Sequence, residues 1–111
     1  MTVGRGVRLV IIFGSPVRDF LVMFYTYILQ SKKNGKRYTG STKDLRKRLS
    51  QHNKGESGWT KNGAPWEVVY YEASLNKDDA LSREKYLKSG MGKRYVKNRL
   101  KHFLSLTGLI L

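Results

Sequence analysis

The stretch Phe24 to Gln30, FYTYILQ, is apolar or aromatic at nearly every position, so both of its alternating faces are fit for burial. That pattern predicts a central strand covered on two sides. Asn34-Gly35 then marks a tight turn, and Lys36 to Gly40 reads as the hairpin partner. In STKDLRKRLSQHNKG the period changes. Leu45 and Leu49 form an i, i+4 stripe, Ser41 or Thr42 can cap the helix, Asp44 complements its first turn, and Asn53 to Gly55 supplies the stop. Residues 55 to 65 hold three glycines and a proline and read as a loop. WEVVYYEA, 66 to 73, is a third strand. A helix begins at Asn76 and ends near Gly90 or Gly92, and a last one spans roughly Lys93 to Leu106. The order ββαβαα predicts a small α/β (α+β) domain with a three-stranded antiparallel sheet flanked by helices.

Residues 1 to 22 stand apart from this pattern. Their apolar run, Leu9 to Phe13, is too short to span a bilayer or to form a signal-peptide core, and Gly14-Ser15 is followed by proline. The expected organisation is an extension over 1–22 with Met23 as an alternative start, a domain over 23–107, and a tail over 108–111.

Strand parity places the tyrosines. With a two-residue turn Tyr38 lies opposite Ser31, and with a four-residue loop it lies opposite Leu29. Either register puts Tyr38 on the face of Tyr27 and Tyr25. Aromatic faces ordinarily serve packing, so this alone assigns no chemistry. On the first helix Arg48 and His52 are neighbours at i, i+4, both within roughly 60° of the Leu45 direction. They border the buried stripe, whereas Arg46 and Lys47 read as solvated charge. On the later helix Ala80, Leu81 and Leu87 define the apolar arc, and Glu84 lies roughly 40° from Ala80. A carboxylate facing a core must be paired or bind a cation. A buried arginine partner and a divalent-metal site both satisfy that requirement.

Composition narrows the chemistry. The 111 residues carry 22 Lys and Arg against 8 Asp and Glu, a net charge of +14 and a pI near 10.3. Such a surface attracts polyanions, of which nucleic acid is the commonest in a cell. The absence of cysteine excludes disulfides, zinc-thiolate sites and a thiol nucleophile, and fits a cytoplasmic protein.

Taken together, these residues resemble the GIY-YIG nuclease superfamily, and most closely its small single-domain bacterial putative endonucleases. YTY ending at Tyr27 stands for the first motif and YTG, Tyr38 to Gly40, for the second. Arg48 matches the family arginine, His52 the His-or-Tyr position, and Glu84 the metal-binding glutamate. Tyr25 replaces the first motif's glycine. Val96 stands where many members carry asparagine, with Asn98 two residues on. The resemblance covers Met23 to about Leu104. It implies a GIY-YIG-like fold and hydrolysis of phosphodiester bonds in nucleic acid, with DNA the expected form and no membrane partner. It also implies one divalent cation, Mg2+ or Mn2+, held by Glu84. Arg48 would stabilise transition-state charge, and Tyr27 or Tyr38 would act as general base. A phenol ordinarily titrates near pH 10, so it must be depressed by Arg48 and the metal, or pass its proton through His52. The competing reading is a nucleic-acid-binding module with little or no cleavage. A membrane-surface protein is a third.

Overall fold

The computed structural model describes residues 22–107; the extension read over 1–22, apart from Val22, and the tail over 108–111 lie outside them. Three strands, β1 (Phe24–Ser31), β2 (Arg37–Thr42) and β3 (Trp66–Ser74), form an antiparallel sheet in the order β2-β1-β3. Among the described residues four helices accompany them: α1 (Leu45–Asn53), α2 (Lys77–Lys88), α3 (Gly90–Arg99) and α4 (Lys101–Thr107), with a 3-10 turn at Gly58–Asn62.

β1 is central, as its two apolar faces require, and every residue from Thr26 to Ser31 is buried. Its faces build two separate cores. Tyr27, Leu29 and Trp66 pack with Tyr38, Leu45, Leu49 and Val68 beneath α1. Ile28, Leu87 and Val96 pack with Val69, Tyr70 and Leu100 beneath α2 and α3. Burial of these side chains contributes roughly 1.5–3 kcal/mol each.

The β1–β2 hairpin takes the four-residue register, with Leu29 opposite Tyr38 across Lys32 to Gly35. Gly35 adopts φ +76°, open to glycine at no steric cost. The Ser31 hydroxyl accepts from the Lys33 and Asn34 amides and donates to Gly63 O at 2.6 Å, tying the hairpin to the loop before β3. On the other side a register shift between Ile28 and Leu29 forms a bulge. Val69 and Tyr70 therefore both face α2 and α3, while Val68 and Tyr71 face α1.

Several boundaries differ from the sequence expectation. β2 continues through Thr42, so neither Ser41 nor Thr42 caps α1; Asp44 does, accepting from Lys47 N at 3.1 Å. The glycine-rich 55–65 segment is ordered around the 3-10 turn. α2 is capped by Asn76 as expected but stops at Lys88, and Ser89 caps α3 through Gly92 N. The last helix is two, broken at Leu100. Leu81, assigned to the apolar arc of α2, is 44% exposed.

Candidate active site

Tyr27 is the centre of the α1 face. It is 1% exposed, and its ring crosses the neighbouring strand at Gly40. A Cβ at Gly40 would stand 2.7 Å from the Tyr27 Oη and 3.0 Å from the Tyr38 ring. Glycine is what lets the two phenols share this surface, with centroids 6.2 Å apart. Tyr25, on the same face as expected, packs edge-on against Tyr71 and stays outside the cluster.

The Leu45–Leu49 stripe seats α1 on the sheet and swings Arg48 and His52 over Tyr27. His52 is completely buried; its Nε2 lies 3.0 Å from Tyr27 Oη and its Nδ1 2.7 Å from Thr60 Oγ1. The Thr60 hydroxyl donates its one proton to Ser57 O at 2.8 Å, so toward His52 it can only accept. The tautomer assigned from this pattern carries its proton on Nδ1. Nε2 is then a bare acceptor, and the Tyr27 hydroxyl donates to it. The chain runs Tyr27 O–H to His52, His52 N–H to Thr60, and Thr60 O–H to the backbone.

Charge states agree with that direction. Burial, and then the Arg48 charge, pull the His52 pKa below its ordinary 6.5, which keeps the imidazole neutral at neutral pH. Burial also raises the Tyr27 phenol above 10.0 and outweighs the lowering by Arg48, whose Nε donates to Oη at a long 3.4 Å; the nearby charges of Tyr38 and Glu84 raise it further. Arg48 alone therefore does not bring the Tyr27 phenol below its ordinary value, and the geometry offers its proton two routes: depression by Arg48 together with a cation, or transfer to His52 Nε2 at 3.0 Å. Arg48 also donates to Gln51 at 3.1 Å and reaches Tyr38. Its guanidinium has five N–H donors, enough to keep some for a phosphate.

Glu84 stands at the β2 edge of the sheet, its charge felt at Tyr27. Its Oε1 accepts from the Ser41 hydroxyl at 2.8 Å and its Oε2 from Lys88 Nζ at 2.8 Å, with the carboxylate side chain 21% exposed. A buried pair with Arg48 is not what Glu84 forms. Its cationic partner is an exposed lysine, held weakly. Among the described residues no three His, Asp or Glu side chains cluster as a metal cage. A hard carboxylate oxygen beside a hydroxyl fits the alternative, in which Glu84 would hold a hydrated Mg2+ that supplies charge neutralisation at a substrate phosphate. Val96 is a core residue, and Asn98 is exposed on α3.

The cluster thus unites Tyr27, Tyr38, Arg48 and His52, with Glu84 beside it. Sequence reasoning missed Thr60 and Trp59. Thr60 fixes the histidine, and Trp59 stacks on Tyr38 with centroids 6.0 Å apart. Both lie in the segment read as a loop, where no periodicity marks a buried hydroxyl.

Residues 23–101 match the family model described as the GIY-YIG catalytic domain. A UPF0213 protein of Pediococcus pentosaceus is 36% identical over 87 residues, covering 78% of this chain and 90% of that one. A UPF0213 protein of Clostridium perfringens is 43% identical over 67 residues, 60% and 71% of the two chains. The solution NMR structure of a UPF0213 protein from Bacillus halodurans aligns at 30% identity with a TM-score of 0.44, over 68% of this chain and 83% of that one.

Proposed function

The chain belongs to the GIY-YIG family, and from that premise we propose that it is a divalent-metal-dependent endonuclease that hydrolyses phosphodiester bonds in nucleic acid, DNA in the first instance. The observation that carries this reading is the directed chain from Tyr27 to His52 to Thr60. It leaves a neutral imidazole ready to take the phenol's proton. As Tyr27 draws a proton from an attacking water, its own proton passes to His52 Nε2, and Thr60 holds Nδ1–H throughout. The imidazolium that forms is transient, because burial and Arg48 both disfavour it. The free donors of Arg48 bind the phosphate oxygens on which charge grows. Mg2+ or Mn2+ held by Glu84, beside the Ser41 hydroxyl, would supply charge neutralisation at the scissile phosphate and leaving oxygen. The +14 charge supplies affinity through counterion release.

The test is a cleavage panel of single-stranded, duplex and branched DNA and RNA with Mg2+, with Mn2+ and with EDTA, run beside Glu84→Gln. The reading expects cation-dependent cutting that falls by about three orders of magnitude or more in the variant. Its melting temperature should hardly move, since among the described residues Glu84 bonds to Ser41 and an exposed lysine. A folded Glu84→Gln protein cutting at the wild-type rate would remove Glu84 from the site. Binding with no cleavage anywhere in the panel would leave the non-catalytic module.

A further inference from the structure

The 3-10 turn at Gly58–Asn62 has one residue fixed inward and one turned out. Thr60 is 1% exposed, bonded to His52, and its carbonyl accepts from the Trp66 indole at 2.9 Å. Successive side chains of a 3-10 turn diverge by about 120°. Anchoring Thr60 therefore swings Trp59 to the surface, where it is 65% exposed. The ring is not loose. It stacks on Tyr38 at an interplanar angle of 27° and meets Trp66 at 6.4 Å. Beside it runs a groove of about 620 Å3 along the β2 edge, lined by the apolar Ile28, Leu87 and Val96 together with Arg37, Lys88, Lys93 and Trp59. A single exposed aromatic is ordinary by itself. An indole stacked at 27° on a phenol of the candidate active site, beside a groove whose lining includes three cations, is a different arrangement.

We infer that Trp59 is a stacking platform for an unpaired nucleobase, so the chain takes single-stranded nucleic acid, or an unpaired nucleotide, at the linkage it cuts. Within a duplex, away from its ends, each base is covered on both sides by its neighbours. Only an unpaired base has a face to lay on the indole, while Arg37, Lys88 and Lys93 follow its phosphates. This assignment rests on the reading of this face as a nucleic-acid site and adds the substrate class.

Binding measured in EDTA tests it without any need for cleavage. The chain has two tryptophans, and Trp66 is 4% exposed, so quenching by an added strand reports on Trp59. Three probes are compared at low salt: a thymidine strand of about ten nucleotides, an abasic strand with the same phosphates, and a blunt duplex of the same length. The thymidine strand is expected to quench the emission and to bind about tenfold or more tighter than the abasic one. Neither the abasic strand nor the duplex should quench. Trp59→Ala is expected to bring thymidine binding down to the abasic level and to leave abasic binding unchanged, while Trp59→Phe retains most of the gain. Equal affinity for thymidine and abasic strands, or an unquenched indole in wild type, overturns the platform and leaves the nucleic-acid reading standing. No binding of any probe overturns both.

Discussion

Two tyrosine networks sit on opposite faces of the sheet, built from similar parts with different consequences. On the α2 face Tyr70 donates to Glu72 at 2.8 Å, and Glu72 is gripped bidentately by Arg83 at 2.8 and 2.7 Å. Tyr95 meets Tyr70 at 3.1 Å, and the guanidinium lies over the Tyr86 and Tyr95 rings. On the α1 face Tyr27 meets a histidine and an arginine instead. In both networks burial is the main cause raising the phenol's pKa. What differs is the acceptor. Glu72 is held below its usual range, mainly by Arg83, so it stays an anion and fixes the Tyr70 proton in place. His52 is a neutral base whose other nitrogen is already anchored. One network is a clasp between strand and helices, and the other has somewhere for a proton to go. A tyrosine beside an arginine is thus no sign of chemistry until its hydrogen-bond acceptor is known.

The sharpest way to break this contrast is to remove the proton. Tyr27→Phe keeps the ring over Gly40 and deletes the hydroxyl, and single-turnover cleavage should fall about 10²- to 10⁴-fold. The same change at Tyr70 should leave the rate per folded molecule untouched. Comparable losses at both positions would erase the distinction.

A smaller effect is expected one step further out. Thr60→Val removes the acceptor for Nδ1–H while keeping the shape, so His52 is free to adopt the other tautomer, in which Nε2 donates. Cleavage should fall about tenfold to a hundredfold, with a stability loss of about 1–3 kcal/mol from the unsatisfied buried N–H. Thr60→Ser should restore both. Imidazole ¹⁵N shifts should report an Nδ1–H tautomer in wild type and a mixture in the valine variant. A pure Nε2–H form in wild type would reverse the chain's direction.

The smallest change in rate should come from the clasp. Arg83→Met removes the partner of half-buried Glu72, and Arg83 is itself 37% exposed, so the cost is screened to about 1–2 kcal/mol. Thermal unfolding should show it as a loss of roughly 4–16 °C. Cleavage per folded molecule should stay at the wild-type rate. A large loss of rate would tie the two faces together.

How much of this was legible in the sequence follows the range of the interactions. The central position of β1 could be read because two-sided burial is written into consecutive residues. The shared face of Tyr27 and Tyr38 survived an uncertain turn because even loop lengths preserve parity. Arg48, His52 and Glu84 were placed by helical spacing on helices correctly found. What escaped depends on contacts between distant segments. Ser41 and Thr42 have the chemistry of helix caps, yet β2 pairing with β1 holds them in the strand, and Ser41 serves Glu84 instead. The Val69 bulge and the break at Leu100 carry no local residue signal. Thr60 and Trp59 lie among glycines, and their roles come from His52 and Tyr38 packed against them. The Ser57 carbonyl, which fixes the direction of the Thr60–His52 bond, likewise lies outside any local pattern.

The central claim is that His52, and not a free phenolate, receives the proton during cleavage. The pH–rate profile of single-turnover cleavage in saturating Mg2+ tests it most directly. Protonation of His52 removes the acceptor, and its folded pKa lies below 6.5. The rate should therefore climb as pH rises from acid, break below pH 6.5, and stay level through neutrality. A rate that keeps rising tenfold per pH unit from 6.5 toward the phenol range, with no break on the acid side, would make Tyr27 or Tyr38 phenolate the base and contradict the relay.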